Sequence, residues 1–202
     1  MPRTQKQNEK IRNKRKEKIL NESLHLFVKK PYRSVSIDDI AKEVGCTHSL
    51  IYHYYASKEE VFHEVLLNAK SKLRTIIDPN ILNNSESPKE ILNTVLSRLL
   101  DGLKSNKRED IACSMILILD LVFDDDLKEI MPPEKRPFQM FKRIVKDGQK
   151  KGEFVDGDPR EYAVILNSFL RGVSIASLSI NKDKFIAPSA SIIMRMLVRE
   201  EK

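Results

Sequence analysis

A glycine splits residues 39–60, DIAKEVGCTHSLIYHYYASKEE, into two short helical patterns, the second restarting two residues later. Two helices joined so tightly need a small residue where they cross, and Ala41 supplies it. They need a turn residue tolerant of the left-handed region, and Gly45 stands four positions on. They also need an aliphatic on the second helix to pack back on the first. Ile51 takes that place, with Ile40 and Val44 completing a small core. The spacing predicts a helix-turn-helix with its second helix over about 48–54.

Thr47 is the natural N-cap of that second helix. Its outer face then holds Thr47, His48, Ser49, Tyr52 and His53, while Tyr54 and Tyr55 are assigned to packing. Hydroxyls and imidazoles suit base edges, phosphates and thymine methyls in a major groove. The five-residue spacing of His48 and His53 misses the same-face geometry of a metal pair, and neither Cys nor carboxylate completes a ligand set. No metal or cofactor is expected.

Charge points toward the same partner. Residues 1–30 hold ten Lys and Arg against three Glu, a surplus of seven that equals the formal charge of the whole chain. A basic N-terminal arm of this kind implies a polyanion, nucleic acid or anionic lipid, or else a solvated tail. Cys46 and Cys113 form no CxxC pair, as in a reduced cytosol. The apolar run MILILDLVF (115–123) is broken by Asp120 and is far shorter than a span of about 20 residues. The expectation is a cytoplasmic protein with no membrane partner.

Prolines and caps divide the remainder into helices. Pro31 stops a helix over about 9–29, and Ser36 with Asp39 forms a capping box opening one over about 37–43. Ser57-Lys58-Glu59-Glu60 starts a long helix, and Ser87-Pro88-Lys89-Glu90 supplies N-cap, N1 proline and N3 Glu for the next. Further helices are predicted over about 109–122, 137–150, 159–180 and 189–199. No period-2 run or internal repeat is present, so the fold class is all-α with about nine helices.

Residues 16–66, KEKILNESLHLFVKKPYRSVSIDDIAKEVGCTHSLIYHYYASKEEVFHEVL, resemble the DNA-binding domain of the TetR family of transcriptional regulators. The resemblance is most specific at LIYHYYASKEEVF. Pro31 stands where the family usually has Gly, and Cys46 where an aliphatic is commoner, read here as a small hydrophobe. The resemblance implies a helix-turn-helix domain over 1–66 and a helical ligand-binding and dimerisation domain over 67–202. It assigns DNA contacts to Ser36, Thr47, His48, Ser49, Tyr52, His53 and Lys58. It implies a double-stranded operator, a small-molecule effector and a homodimer built through the last two long helices.

Beyond residue 66 the reading rests on pattern. A ligand pocket among the C-terminal helices is predicted to draw on Met115, Phe123, Phe138, Phe141 and Phe169, with Asn167 or Arg171 as polar anchors. Each of these aromatics equally suits an ordinary core. Asp120, a carboxylate within an apolar run, either meets a cationic ligand or sits on a solvated face. The acidic run 123–127 lacks calcium-loop spacing, and no G-x-S-x-G, HExxH or phosphate-loop motif occurs, so no enzyme is expected. The functional expectation is a dimeric ligand-responsive transcriptional regulator, most often a repressor. The alternative is a helical adaptor using the same scaffold for protein contacts.

Overall fold

The helix starts are written in capping chemistry. Ser36 accepts from the Asp39 N–H at 3.1 Å, and the Asp39 carboxylate accepts in return from the Ser36 N–H at 2.9 Å. Ser87 accepts from the Glu90 N–H with Pro88 in the first turn, and Asp158 accepts from the Arg160 N–H with Pro159 following it. Each cap satisfies a helix N–H that has no partner within its own helix.

A computed structural model describes residues 5–77, 87–121 and 136–199. Among the described residues there are nine α-helices and no strand. The first four are α1 (Gln5–Lys29), α2 (Ile37–Val44), α3 (His48–Tyr54) and α4 (Lys58–Arg74), with a 3-10 turn, Tyr32–Ser34, between α1 and α2. The others are α5 (Pro88–Gly102), α6 (Arg108–Asp120), α7 (Pro137–Lys150), α8 (Pro159–Ser179) and α9 (Ala190–Met194). The chain divides into two compact units after Ala69, within α4.

In the first unit, Ile19, Leu24 and Phe27 of α1 are buried with Ile40, Ala41 and Val44 of α2, Ile51 of α3, and Val61, Phe62 and Val65 of α4. Phe27 and Phe62 meet edge to face with centroids 4.8 Å apart, a favoured aromatic geometry. In the second unit α8 packs on α6 and α7, and α5 packs on α7 and α9. Its core joins Leu92, Leu96 and Leu100 with Met115, Phe141, Val145, Leu166 and Leu170.

The C-terminus departs from expectation. The periodicity predicts a helix to residue 199, yet α9 ends at Met194. Backbone pairing competes: Val155 N–H donates to Leu197 C=O at 2.8 Å and Arg199 N–H to Glu153 C=O at 3.2 Å. An antiparallel bridge between Phe154 and Val198 replaces the last helical turns. Of the apolar residues spaced as a helical face, Ile193 and Leu197 are buried all the same, whereas Ile192 and Met196 are exposed. Among the described helices α8 has the length and apolar content of a bilayer span, with about a third of that stretch buried inside the fold.

Candidate nucleic-acid interface

The turn between α2 and α3 is closed by Gly45, at φ 71° and ψ 45°, in the left-handed region where a Cβ is costly. Its N–H donates to Lys42 C=O at 3.2 Å, and the Cys46 N–H donates to Ala41 C=O at 2.9 Å. This paired arrangement ends α2 and redirects the chain at once into α3. Ile51 and Tyr55 are buried against the small core, which orients the rest of α3 outward. Desolvation, followed by the Glu64 and Glu60 carboxylates, pushes the Tyr55 phenol up to about 12.

Every residue predicted for the outer face of α3 is exposed: Thr47, His48, Ser49, Tyr52 and His53. Thr47 holds the N-cap position in extended backbone, but its hydroxyl makes no capping hydrogen bond. That hydroxyl remains available to a ligand. The His48 and Tyr52 rings lie 4.9 Å apart, one helical turn from each other. Tyr52 is 48% exposed, the large aromatic of this face left in solvent.

Two partners of this face are missing from the sequence reading. The Asp38 carboxylate on α2 meets His48 Nδ1. A carboxylate at one ring nitrogen orients the imidazole and governs which nitrogen carries the proton. Tyr32 is the other: Lys58 Nζ lies 4.3 Å from its ring centroid and donates to its backbone oxygen at 3.2 Å. Neither pairing has a signature in spacing, because each joins separate elements brought together only by packing. Tyr32 also donates from its hydroxyl to Glu59 at 2.9 Å. Burial, then that carboxylate, holds the Tyr32 phenol far above its usual range.

Ser36 is exposed at the start of α2, but its hydroxyl is engaged in the cap and donates to Asp39 at 2.7 Å. Hydrogen bonds from the Ser36 side chain, then its backbone, then Lys30, hold the Asp39 carboxyl down at about 2. Cys46 is half-buried, and desolvation raises its thiol against the smaller opposing pull of Lys18. A raised thiol is a poor nucleophile, which suits a packing role.

Two family profiles match this chain. The profile for bacterial regulatory proteins of the tetR family matches residues 19–65, and that for the C-terminal region of QacR-like proteins matches residues 115–197. The chain belongs to the TetR family. This TetR-family chain is 34% identical over 53 residues to the biofilm operon icaADBC negative transcriptional regulator IcaR of Staphylococcus epidermidis, covering 26% of this chain and 29% of the relative. It is 34% identical over 95 residues to the uncharacterized HTH-type regulator YuxN of Bacillus subtilis, covering 46% of this chain and 32% of the relative. The matched segments thus span less than half of those relatives. Across the fold, a TetR-family regulator from Agrobacterium tumefaciens superposes with a TM-score of 0.64 at 17% identity, covering 92% of this chain and 99% of that one. The helix-turn-helix just described lies within the segment that the tetR-family profile matches.

The C-terminal unit of this TetR-family regulator contains an apolar cavity of about 60 Å³. Leu99, Met115, Leu119, Met140, Phe141 and Leu170 are among its lining residues, all of them apolar. Met115 and Phe141, predicted for a pocket, stand in this wall; Phe138 and Phe169 are partly buried and pack on the surrounding core. Phe123 lies outside the described residues. Asn167 is 1% exposed and donates from Nδ2 to Leu119 C=O at 3.3 Å, and its Oδ1 has no hydrogen-bond partner among the described residues. Asp120 and Arg171 pair with each other across α6 and α8 at a half-exposed position, with Nε and Nη2 of the guanidinium each donating to one carboxylate oxygen. That hydrogen bond, offset in part by desolvation, raises the Arg171 guanidinium further.

Proposed function

We propose that this TetR-family protein is a homodimeric repressor that reads a near-palindromic operator and is released from it by a predominantly apolar, uncharged effector. The observation that carries the reading is the split of α3, with Ile51 buried and His48, Ser49, Tyr52 and His53 turned to solvent. In this reading the exposed side chains contact bases and phosphates, and Ser36 and Lys58 contact the backbone of the same groove. Two such helices enter successive major grooves about 34–36 Å apart.

The second copy covers the outer face of α8. Val164, Ile165 and Ile175 are 42%, 42% and 38% exposed there, with Ser168 and Gly172 between them. A Cβ built on Gly172 meets nothing within 4 Å, so a facing helix has room to approach closely. Because α9 is only five residues long, α8 carries most of this interface. Burying these isoleucines gives the dimer its hydrophobic driving force.

The effector occupies the apolar cavity. With Asp120 and Arg171 neutralising each other, no unpaired charge among the described lining selects an ionic ligand. Sixty cubic ångströms is too small for a drug-sized molecule, so binding displaces lining side chains. Met115 and Met140, with flexible thioether chains, yield first. Leu73, also in the wall, lies on the same helix as Lys58, and effector binding shifts the dimer toward a state that fits DNA poorly.

The test is selection of binding sites from a random duplex pool at physiological salt, followed by competition with small apolar and cationic compounds. A palindromic site bound at least ~10³-fold more tightly than its scramble supports the operator reading. Weak binding indifferent to sequence points to an adaptor instead. Release by cations but not by neutral apolar compounds contradicts the proposed effector class. Ile165→Glu, followed by sedimentation, tests the interface, which is wrong if the variant remains dimeric.

A further inference from the structure

The first half of α1 is left over from the fold. From Gln5 to Lys18 it buries no residue; its first buried side chain is Ile19. Over that stretch it holds seven cations, Lys6, Lys10, Arg12, Lys14, Arg15, Lys16 and Lys18, against two carboxylates, Glu9 and Glu17. Nevertheless it is helical throughout. We propose that this basic half-helix is a second DNA-binding element, a helical arm that lays a row of lysines along the phosphates beside the recognition helix.

Register supports the row. Lys6, Lys10, Lys14 and Lys18 follow i, i+4 spacing on one side of α1, a span of about 18 Å at 1.5 Å per residue. One strand of a duplex presents about five phosphates over that axial length, at one per 3.4 Å. The end of the row is anchored at the turn that leads to α3: Lys18 Nζ donates to Val44 C=O at 2.7 Å. Lys16 adds a second tie, its Nζ 5.6 Å from the Tyr55 ring centroid. The ammonium groups of Lys6, Lys10 and Lys14 make no ion pair among the described residues.

The energetics run the same way. Like charges at i, i+4 destabilise a helix, and cations near the N-terminus oppose its dipole. The first turn of α1 carries no acidic residue to offset this. A polyanion along the row reverses the sign of both effects. A bilayer is the weaker match, because an interfacial helix needs a broad apolar face and this segment has Ile11 alone.

The inference rests on the operator reading, and its test separates the two. Wild type, the triple variant Lys6→Gln, Lys10→Gln, Lys14→Gln, and a control with Lys146, Lys150 and Lys151 changed to Gln are compared on the selected duplex and its scramble. Glutamine retains helix propensity. The triple variant is expected to bind both duplexes more weakly by a similar factor. Its slope of log affinity against log salt should flatten by about 0.9 per lost contact, roughly 2.7 per arm. Duplex binding should also slow amide exchange over 5–18 in wild type and less so in the variant.

An unchanged salt slope on a duplex that is still selected overturns the arm while leaving the operator reading intact. If no duplex is enriched, the operator reading fails and the arm fails with it. An equal loss in the control variant reduces the effect to net charge and overturns the row. So does binding to vesicles of mixed neutral and anionic lipid that the triple variant loses while retaining its salt slope on DNA.

Discussion

Lys58, the first residue of α4, rests on Tyr32: its ammonium lies 4.3 Å from the ring centroid and donates to the Tyr32 backbone oxygen at 3.2 Å. The side chain assigned to a phosphate by sequence therefore also ties the 3-10 turn after α1 to the start of α4. Lys58→Ala should lower stability by about 1 kcal/mol through the lost cation–π contact and hydrogen bond. It should weaken operator and scrambled duplex by a similar factor, flattening the salt slope by about one unit. Urea unfolding alongside titrations at several salt concentrations checks both; a change in base preference would contradict a backbone role.

Tyr52 presents the opposite case. It is half-exposed, lies with its ring tilted against that of His48, and has no core role to lose. Tyr52→Ala should leave the unfolding midpoint unchanged within about 0.5 kcal/mol while reducing discrimination between operator and scramble. Parallel titrations of the two duplexes read this directly. A uniform loss on both would reassign Tyr52 to a phosphate.

Glycine substitutions probe the two units separately. Gly45→Ala places a Cβ at φ 71° with open space around it, so only backbone strain is added, about 1–2 kcal/mol. Gly148→Ala, in α7, brings a Cβ to 2.2 Å from the Phe154 ring. Phe154 is fully buried and its backbone pairs with Val198, so the ring cannot simply swing away. Overpacking there should cost about 1–3 kcal/mol or more, with the loss in the C-terminal unit. Hydrogen exchange resolved along the chain distinguishes the two sites of damage.

Acid should act through the cap of α2. The Asp39 carboxyl is held at about 2 by hydrogen bonds from Ser36 and by Lys30, below its ordinary value near 3.9 when unfolded. A depressed carboxyl stabilises the fold above its unfolded value and loses that contribution as pH falls through its folded value. The stability gap between wild type and Asp39→Asn should thus be constant from pH 7 to about 5 and close toward pH 2. Urea midpoints at pH 7 and pH 3 measure it. A gap that is the same at both would place the contribution elsewhere.

Much of this protein was readable before any coordinates. Capping boxes, N1 prolines and the Ala41–Gly45–Ile51 spacing are local rules, decided within a few residues by backbone sterics and unsatisfied N–H groups. They located the helix-turn-helix and the starts of α2, α5 and α8, and the burial of Ile51 and Tyr55 followed from the same turn. Other relationships depend on which elements meet. Lys58 on Tyr32, Asp38 at His48 and Asp120 on Arg171 join residues 26, 10 and 51 positions apart, and no periodicity records such pairs. The C-terminus shows the limit most clearly. Local pattern favours a helix through 199, but Val155 and Arg199 find backbone partners across the fold, and that non-local pairing ends α9 at Met194. Sequence determined where helices begin, which turn joins α2 to α3 and which face of α3 turns outward, because those free energies are local; tertiary structure alone decided which distant side chains pair and where the backbone leaves the last helix, because those partners meet only once the elements pack.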